Sequence, residues 1–120
     1  MSIEVNGKII ETDEEGFLRN LDDWNEEVCE ALIKQHEAAG HKPLSETARG
    51  LIDYFREYYK ENEMHPSMHK LVLTLGKYEG KTFHDQEAYK AYLYEMFPHG
   101  PVHMLCKLAG LPKPSHEIET

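Results

Sequence analysis

Hydrophobic positions change their period several times along the chain, and each change marks an element. Ile3 and Val5 alternate with polar neighbours up to Asn6-Gly7, the dipeptide that supplies two positive φ angles for a tight type I′ turn. A short hairpin is predicted, its second strand running through Ile9 toward a turn at Asp13-Glu14-Glu15-Gly16, with Phe17 and Leu18 folding back on the first helix. Trp24, Val28, Ala31 and Leu32 then recur at helical spacing. Asp22 or Asp23 is the expected cap, Glu26 and Glu27 face the positive end of the helix dipole, and Gly40 and Pro43 end the helix.

A second helix is predicted from Ser45. Its stripe of Ala48, Leu51, Ile52, Phe55, Tyr58 and Tyr59 is wide enough to make it the central element, packed on all the others. After His65-Pro66, the set Met68, Leu71, Val72 and Leu75 predicts a short helix stopped by Gly76, then a polar loop from Lys77 to His84. Asp85 is the expected cap of a helix burying Tyr89, Tyr92, Leu93 and Met96 and ending before Pro98. In a last helix Val102, Leu105, Cys106 and Ala109 line one side and Gly110 is the stop. Pro112 and Pro114 stiffen the following segment, so Leu111 to Pro114 is expected to project outward. The sum is a mainly α domain of about five helices over residues 1–110 with a small N-terminal β-hairpin, and an extended arm over 111–120.

Composition narrows the classes. A chain of 120 residues with 40 % hydrophobic and 29 % charged positions is one globular domain. It has no apolar run of the roughly 18 residues that a membrane span needs and no signal-like N-terminus, so a cytoplasmic location is expected. Net charge is −9, which disfavours an unspecific grip on nucleic acid. The charge is uneven: residues 1–66 hold 7 basic and 16 acidic groups, residues 67–113 hold 6 and 4. A helix-turn-helix from the Pro66 and Asp85 helices is also disfavoured, because Lys90 is the single cation of the second, against Asp85, Glu87 and Glu95.

Candidate chemistry centres on thiols. Cys29 and Cys106 are the two cysteines, and a reducing compartment keeps both as thiols. Cys29 has no basic neighbour and reads as structural. Cys106 sits on the apolar stripe of the last helix, where a cysteine is more often inert core than nucleophile, but His99, His103 and Lys107 would favour its thiolate. Both readings stand at this point. The pairs His65/His69 and His99/His103 have spacing that can bring two imidazoles to one helical face, yet neither pair has a third ligand at a fixed short distance, so no metal and no cofactor are expected.

The ordered motifs GKIIETDEEGFL, the Trp24 helix, YFREYY, the Pro66 helix start, YLYEMFPHGP and CKLAGLPKP resemble the DsrC/TusE family. That family includes the gamma subunit of dissimilatory sulfite reductase and the sulfur-relay protein of tRNA thiolation. The resemblance covers nearly the whole chain and implies the helix-rich fold and a role in passing sulfane sulfur between thiols. The expected partners are then sulfurtransferase or sulfite-reductase-type proteins, with no oligomeric state implied. It makes Cys106 the candidate reactive group, with His103, Lys107, His99, His69 and Arg56 around it and Lys113 and Glu117 as docking residues on the arm. The sequence also departs from the pattern. Relay members carry a cysteine eleven positions beyond Cys106, where this chain has Glu117; basic residues of the family are replaced by His69 and by His103 followed by Met104; and the family's His-Trp pair is missing near Thr47, Ala48 and Arg49. This is a divergent member, read as a sulfur carrier using Cys106, or as a regulatory paralogue that docks without carrying sulfur.

Overall fold

In the computed structural model, which describes residues 1–78 and 86–114, two strands and five helices follow one another along the chain. Strands β1 (Ser2–Val5) and β2 (Lys8–Glu11) pair antiparallel, with Ile3 opposite Ile10. Asn6 and Gly7 take φ of 52° and 80°, as a type I′ turn requires. That register turns Ile3 and Ile10 into the core and leaves Ile9 exposed.

Leu21–Asp23 form a 3₁₀ turn, so the two aspartates expected to cap the first helix are used up inside it. Helix α1 (Glu26–Ala38) is capped instead by Asn25, whose extended backbone lets its side-chain oxygen accept from the Val28 N–H at 2.8 Å. Trp24 therefore lies before the helix, not in it. Helix α2 (Glu46–Asn62) starts at the expected cap, Ser45, and buries Ala48, Leu51, Ile52 and Phe55; Tyr58 and Tyr59 stay half-exposed.

Helix α3 (Met68–Tyr78) runs through Gly76 instead of stopping there, with Gly76 itself buried. A glycine inside a helix costs about 1 kcal/mol relative to alanine, which the burial of Leu71, Val72 and Leu75 outweighs. The expected Asp85 cap and residues 79–84 of the expected loop lie outside the described residues. Helix α4 (Gln86–Met96) buries Leu93 and Met96 and leaves Tyr89 and Tyr92 half-buried.

Helix α5 (Pro101–Leu108) is the hub, in place of α2: it packs on α1, α2 and α4, while α2 packs on α5 and α3. Pro101, Val102, Met104, Leu105, Cys106 and Leu108 are all buried, so the helix is covered nearly all round and not along one stripe. His103 and Lys107 alone reach the surface from it. Leu111, expected to project, is 3 % exposed. No described helix is long and apolar enough to cross a membrane.

Candidate functional site

Cys106 is fully buried, with 0 % of its surface reachable by solvent. The physical reason is the position of α5: three helices pack on it, and its one open face belongs to His103 and Lys107, a turn apart. The expectation of a reachable thiol is not met in this conformation. Lys107, next in sequence, and His103, three positions before, are half-buried at that open face while the cysteine between them is covered.

The chain just beyond Cys106 is held as tightly, at the root of the arm. Gly110, at φ 69°, turns the chain in a left-handed cap. The Gly110 N–H donates to the Lys107 carbonyl at 3.1 Å, and the Leu111 N–H donates to the Cys106 carbonyl at 2.9 Å. These are the two bonds of a Schellman motif, and they draw Leu111 into the core. Two side chains take the next carbonyls. Trp24 Nε1 donates to Leu108 at 2.9 Å, and Arg56 donates to Ala109 at 2.7 Å. The helix end thus has its terminal carbonyls satisfied by protein donors. The Arg56 guanidinium also lies 3.9 Å above the Trp24 ring, binding the two clamping residues together. Burial pushes Arg56 below its ordinary value, though Cys29 and Asp53 oppose this.

On the other side the turn Asp13–Gly16 lies across the open face of α5. Burial acts against ionisation of Asp13, yet hydrogen bonds from the Phe17 and Glu15 N–H groups hold its carboxyl below the ordinary carboxylate value and fix the turn. The turn presents Glu15 to Lys113 of the arm, with which it pairs directly, and to His103 Nε2 at 3.4 Å. The hydrogen bond from Lys113 is the main reason that the Glu15 carboxyl also titrates low. Phe17 meets the His103 ring edge-on at 5.1 Å, and the Lys107 stem lies against Gly16. One end of the root is therefore held by Trp24 and Arg56 and the other by Glu15.

The remaining expected residues fall elsewhere. His69 is exposed on α3. His99 is exposed and packs edge-on against His41 at 5.4 Å, while His41 stacks on His36 at 4.5 Å. The imidazoles thus group as His36, His41 and His99, not in the four-apart pairs read from spacing. Among the described residues no three His, Cys, Asp or Glu side chains converge as metal ligands. Glu117 lies outside the described residues. Cys29 borders a cleft of about 260 Å³ with Trp24, Arg49 and Asp53. Burial, then the charges of Glu30 and Asp53, push its thiol up to about 11.

Trp24, Glu15 and the second function of Gly110 were missed as site residues in the sequence, because each acts across a gap of more than eighty residues. Chemically the arrangement holds Cys106 as a buried thiol, and a thiol that no partner can reach does not exchange sulfur.

Comparison with known proteins places this geometry. Residues 4–118 match the family described as "DsrC like protein". A sulfurtransferase TusE of Photorhabdus laumondii is 38 % identical over 108 residues, covering 90 % of each chain. The dissimilatory-type sulfite reductase subunit gamma of Nitratidesulfovibrio vulgaris is 37 % identical over 113 residues, covering 94 % of each. Among solved structures, the oxidized gamma subunit (DsrC) of Archaeoglobus fulgidus aligns with a TM-score of 0.77 at 33 % identity, over 97 % of this chain and 98 % of that one. The solution structure of Allochromatium vinosum DsrC aligns at 0.74 and 37 % over the same shares.

Proposed function

Since the chain belongs to the DsrC-like family, we propose that it is a sulfur-relay protein of tRNA thiolation or dissimilatory sulfur metabolism whose helix thiol is opened by the partner it docks on. The observation that carries this reading is the complete burial of Cys106, a few residues before an arm root held by Trp24, Arg56 and Glu15. Docking of a sulfurtransferase or sulfite-reductase-type protein on the arm, through Lys113 and Glu117, would draw Lys113 from Glu15. Lys107, next to the cysteine in sequence, is the cation that would then favour a thiolate at Cys106.

The transfer itself balances without a redox partner. The Cys106 thiolate attacks the outer sulfur of a donor persulfide, a new S–S bond forms at Cys106, the donor's S–S bond breaks, and the donor leaves as a thiolate. Discharge is the same step in reverse toward an acceptor thiolate, which the partner must supply. Glu117 stands where family members carry the arm cysteine, and Cys29 is buried and hard to ionise. His99, His69 and Arg56 take no part in the proposed proton or sulfur movement; Arg56 positions the root.

Incubation with a small persulfide donor, followed by intact mass measurement, tests the reading. The closed protein should gain no sulfur. A variant with a loosened root, Gly110→Ala, should gain the mass of one sulfur atom, and the gain should vanish when Cys106→Ser is added. A second reading, docking without sulfur chemistry, is favoured by Glu117 at the arm's usual thiol position. It becomes the better one if the loosened variant stays unmodified while still binding a sulfurtransferase of the pathway.

A further inference from the structure

The cleft beside Cys29 lies between α1 and α2, each of which packs on α5. Helical spacing brings Glu26, Glu30 and Ile33 of α1 to one side of it and Arg49, Ile52 and Asp53 of α2 to the other. Of the residues that line it, Cys29, Ile33 and Ile52 are buried and Trp24 is half-buried, which makes the floor apolar. Glu26, Glu30, Arg49 and Asp53 are exposed and form the rim. Arg49 pairs with Glu30, so the two charges offset each other. Neither Glu26 nor Asp53 has an ion-pair partner among the described residues. The rim therefore keeps two uncompensated carboxylates. The floor feels the same sign: after burial, Glu30 and Asp53 act most strongly on the Cys29 thiol and outweigh Arg49 and Arg56.

We propose that this cleft is a docking site for one basic side chain, a lysine or an arginine, carried by a protein partner. Its volume of about 260 Å³ is less than the roughly 300–1,000 Å³ of pockets that enclose a whole small ligand, and suits a single side chain. Lysine and arginine combine an apolar stem with a charged head, which matches an apolar floor under an acidic rim. The head gains charge-assisted hydrogen bonds at Glu26 and Asp53 while the stem covers Ile33 and Ile52. An anionic side chain would meet two unpaired carboxylates, and an apolar one would strip them of water without giving a partner in return. Charge over the wider surface agrees, since residues 1–66 hold 16 acidic groups against 7 basic ones. Trp24 lines the cleft and also donates to the Leu108 carbonyl at the arm root, so a seated side chain lies against one member of the clamp. The coupling to the root rests on the sulfur-relay reading; the docking of a basic side chain does not.

The test uses the ¹⁵N-labelled full chain with no persulfide present, so that its failure would leave sulfur transfer at Cys106 untouched. The chain is titrated at constant ionic strength with N-acetyl-arginine methylamide and with the matching lysine, norleucine and glutamate derivatives. NMR follows the indole N–H of Trp24, the single tryptophan, and the backbone N–H groups of Cys29 and Ile33. The arginine and lysine probes should shift these signals saturably, and the norleucine and glutamate probes should bind about fivefold more weakly or less. Asp53→Asn combined with Glu26→Gln, both at exposed positions, should weaken the arginine probe by about fivefold. Glu57→Gln combined with Glu61→Gln removes the same charge from exposed positions of α2 away from the cleft and should leave binding unchanged. Shifts that never saturate would overturn the proposal, as would norleucine binding as well as arginine. So would an equal loss of binding in the two double variants, or tighter binding of free spermidine than of the arginine probe, which would assign the cleft to a small cation.

Discussion

Gly110→Ala perturbs the arm root at one atom, and the geometry sets the size of the effect. An added Cβ would lie 2.5 Å from Cδ1, 2.8 Å from Cγ and 2.9 Å from Cβ of Trp24. Trp24 has little room to yield, because its indole N–H is bonded to Leu108 and its ring is covered by Arg56. The backbone at φ 69° adds the left-handed cost, about 1–2 kcal/mol for a residue with a Cβ. Gly40 is the control. It has φ 97° but nothing within 4 Å of the added atom, so Gly40→Ala carries the backbone cost alone. The difference between the two variants isolates the clash with Trp24, which we put at about 2 kcal/mol from the range for overpacked sites. If that cost falls on the closed root, the opening equilibrium rises by about 30-fold. Thiol labelling at Cys106, in a Cys29→Ala background, reads the opening directly, and urea melts of both variants read global stability. Labelling of Gly110→Ala should exceed that of Gly40→Ala by about the same 30-fold factor. Equal labelling rates would refute the reasoning, as would a rate increase that merely follows the loss of global stability. Adding Trp24→Ala should remove most of the difference between the two glycine variants.

Glu15→Gln removes the carboxylate shared by Lys113 and His103; both partners are solvent-exposed enough to be screened, so Cys106 labelling should rise less than about threefold and the effect should vanish in high salt. Cys29, with its thiol near 11, is about one-thousandth thiolate at pH 8; Cys29→Ser should leave the total labelling of the native protein unchanged, and a measured loss would show that Cys29 reacts. His36 binds its proton less readily in the folded chain than the ordinary value of 6.5. The unfolded chain therefore protonates first as pH falls, and stability should drop from about pH 7 downward, by at most about 1.4 kcal/mol per pH unit, until the folded value is passed. The groups facing His36 are His41, Lys107 and Glu37; Asp13, Glu15 and Glu30 titrate below their ordinary values near 4, so their contributions are lost at lower pH. In His36→Gln the slope between pH 7 and 5 should flatten, and urea melts with the same slope as the parent would rule this assignment out.

The elements legible in the sequence were those whose burial follows one period. Ala48, Leu51, Ile52 and Phe55 repeat at helical spacing and form the buried face of α2, and Asn6-Gly7 forms its turn from local sterics. The errors come where two local signals compete or where tertiary packing decides. Asn25 and Asp23 are both competent caps, and the choice rests on the 3₁₀ turn that consumes Asp23. Gly76 is a plausible stop that burial carries through. The clearest missed signal was α5 itself: six apolar residues in eight describe a helix covered on all sides, and that alone predicts a buried Cys106. The clamp was not legible. Nothing local to CKLAGLPKP says that Gly110 has an indole against it, or that Arg56 bonds the carbonyl beside it.

If docking lifts the root, thiol exposure and partner binding draw on one equilibrium. The closed chain must spend part of the partner's binding free energy on breaking the Trp24 and Arg56 contacts and on exposing Leu111, so its apparent affinity is lowered by the fraction of molecules that are open. A substitution that raises this fraction without touching the docking residues raises affinity by the same factor, so long as the open state stays a minority. Gly110→Ala should therefore bind a sulfurtransferase partner more tightly than the parent, by the same factor as its gain over the parent in Cys106 labelling. Titration calorimetry on the same preparations makes the comparison. Faster labelling with unchanged affinity would mean that the partner binds the closed surface, and that the lifting of the root serves some step other than docking.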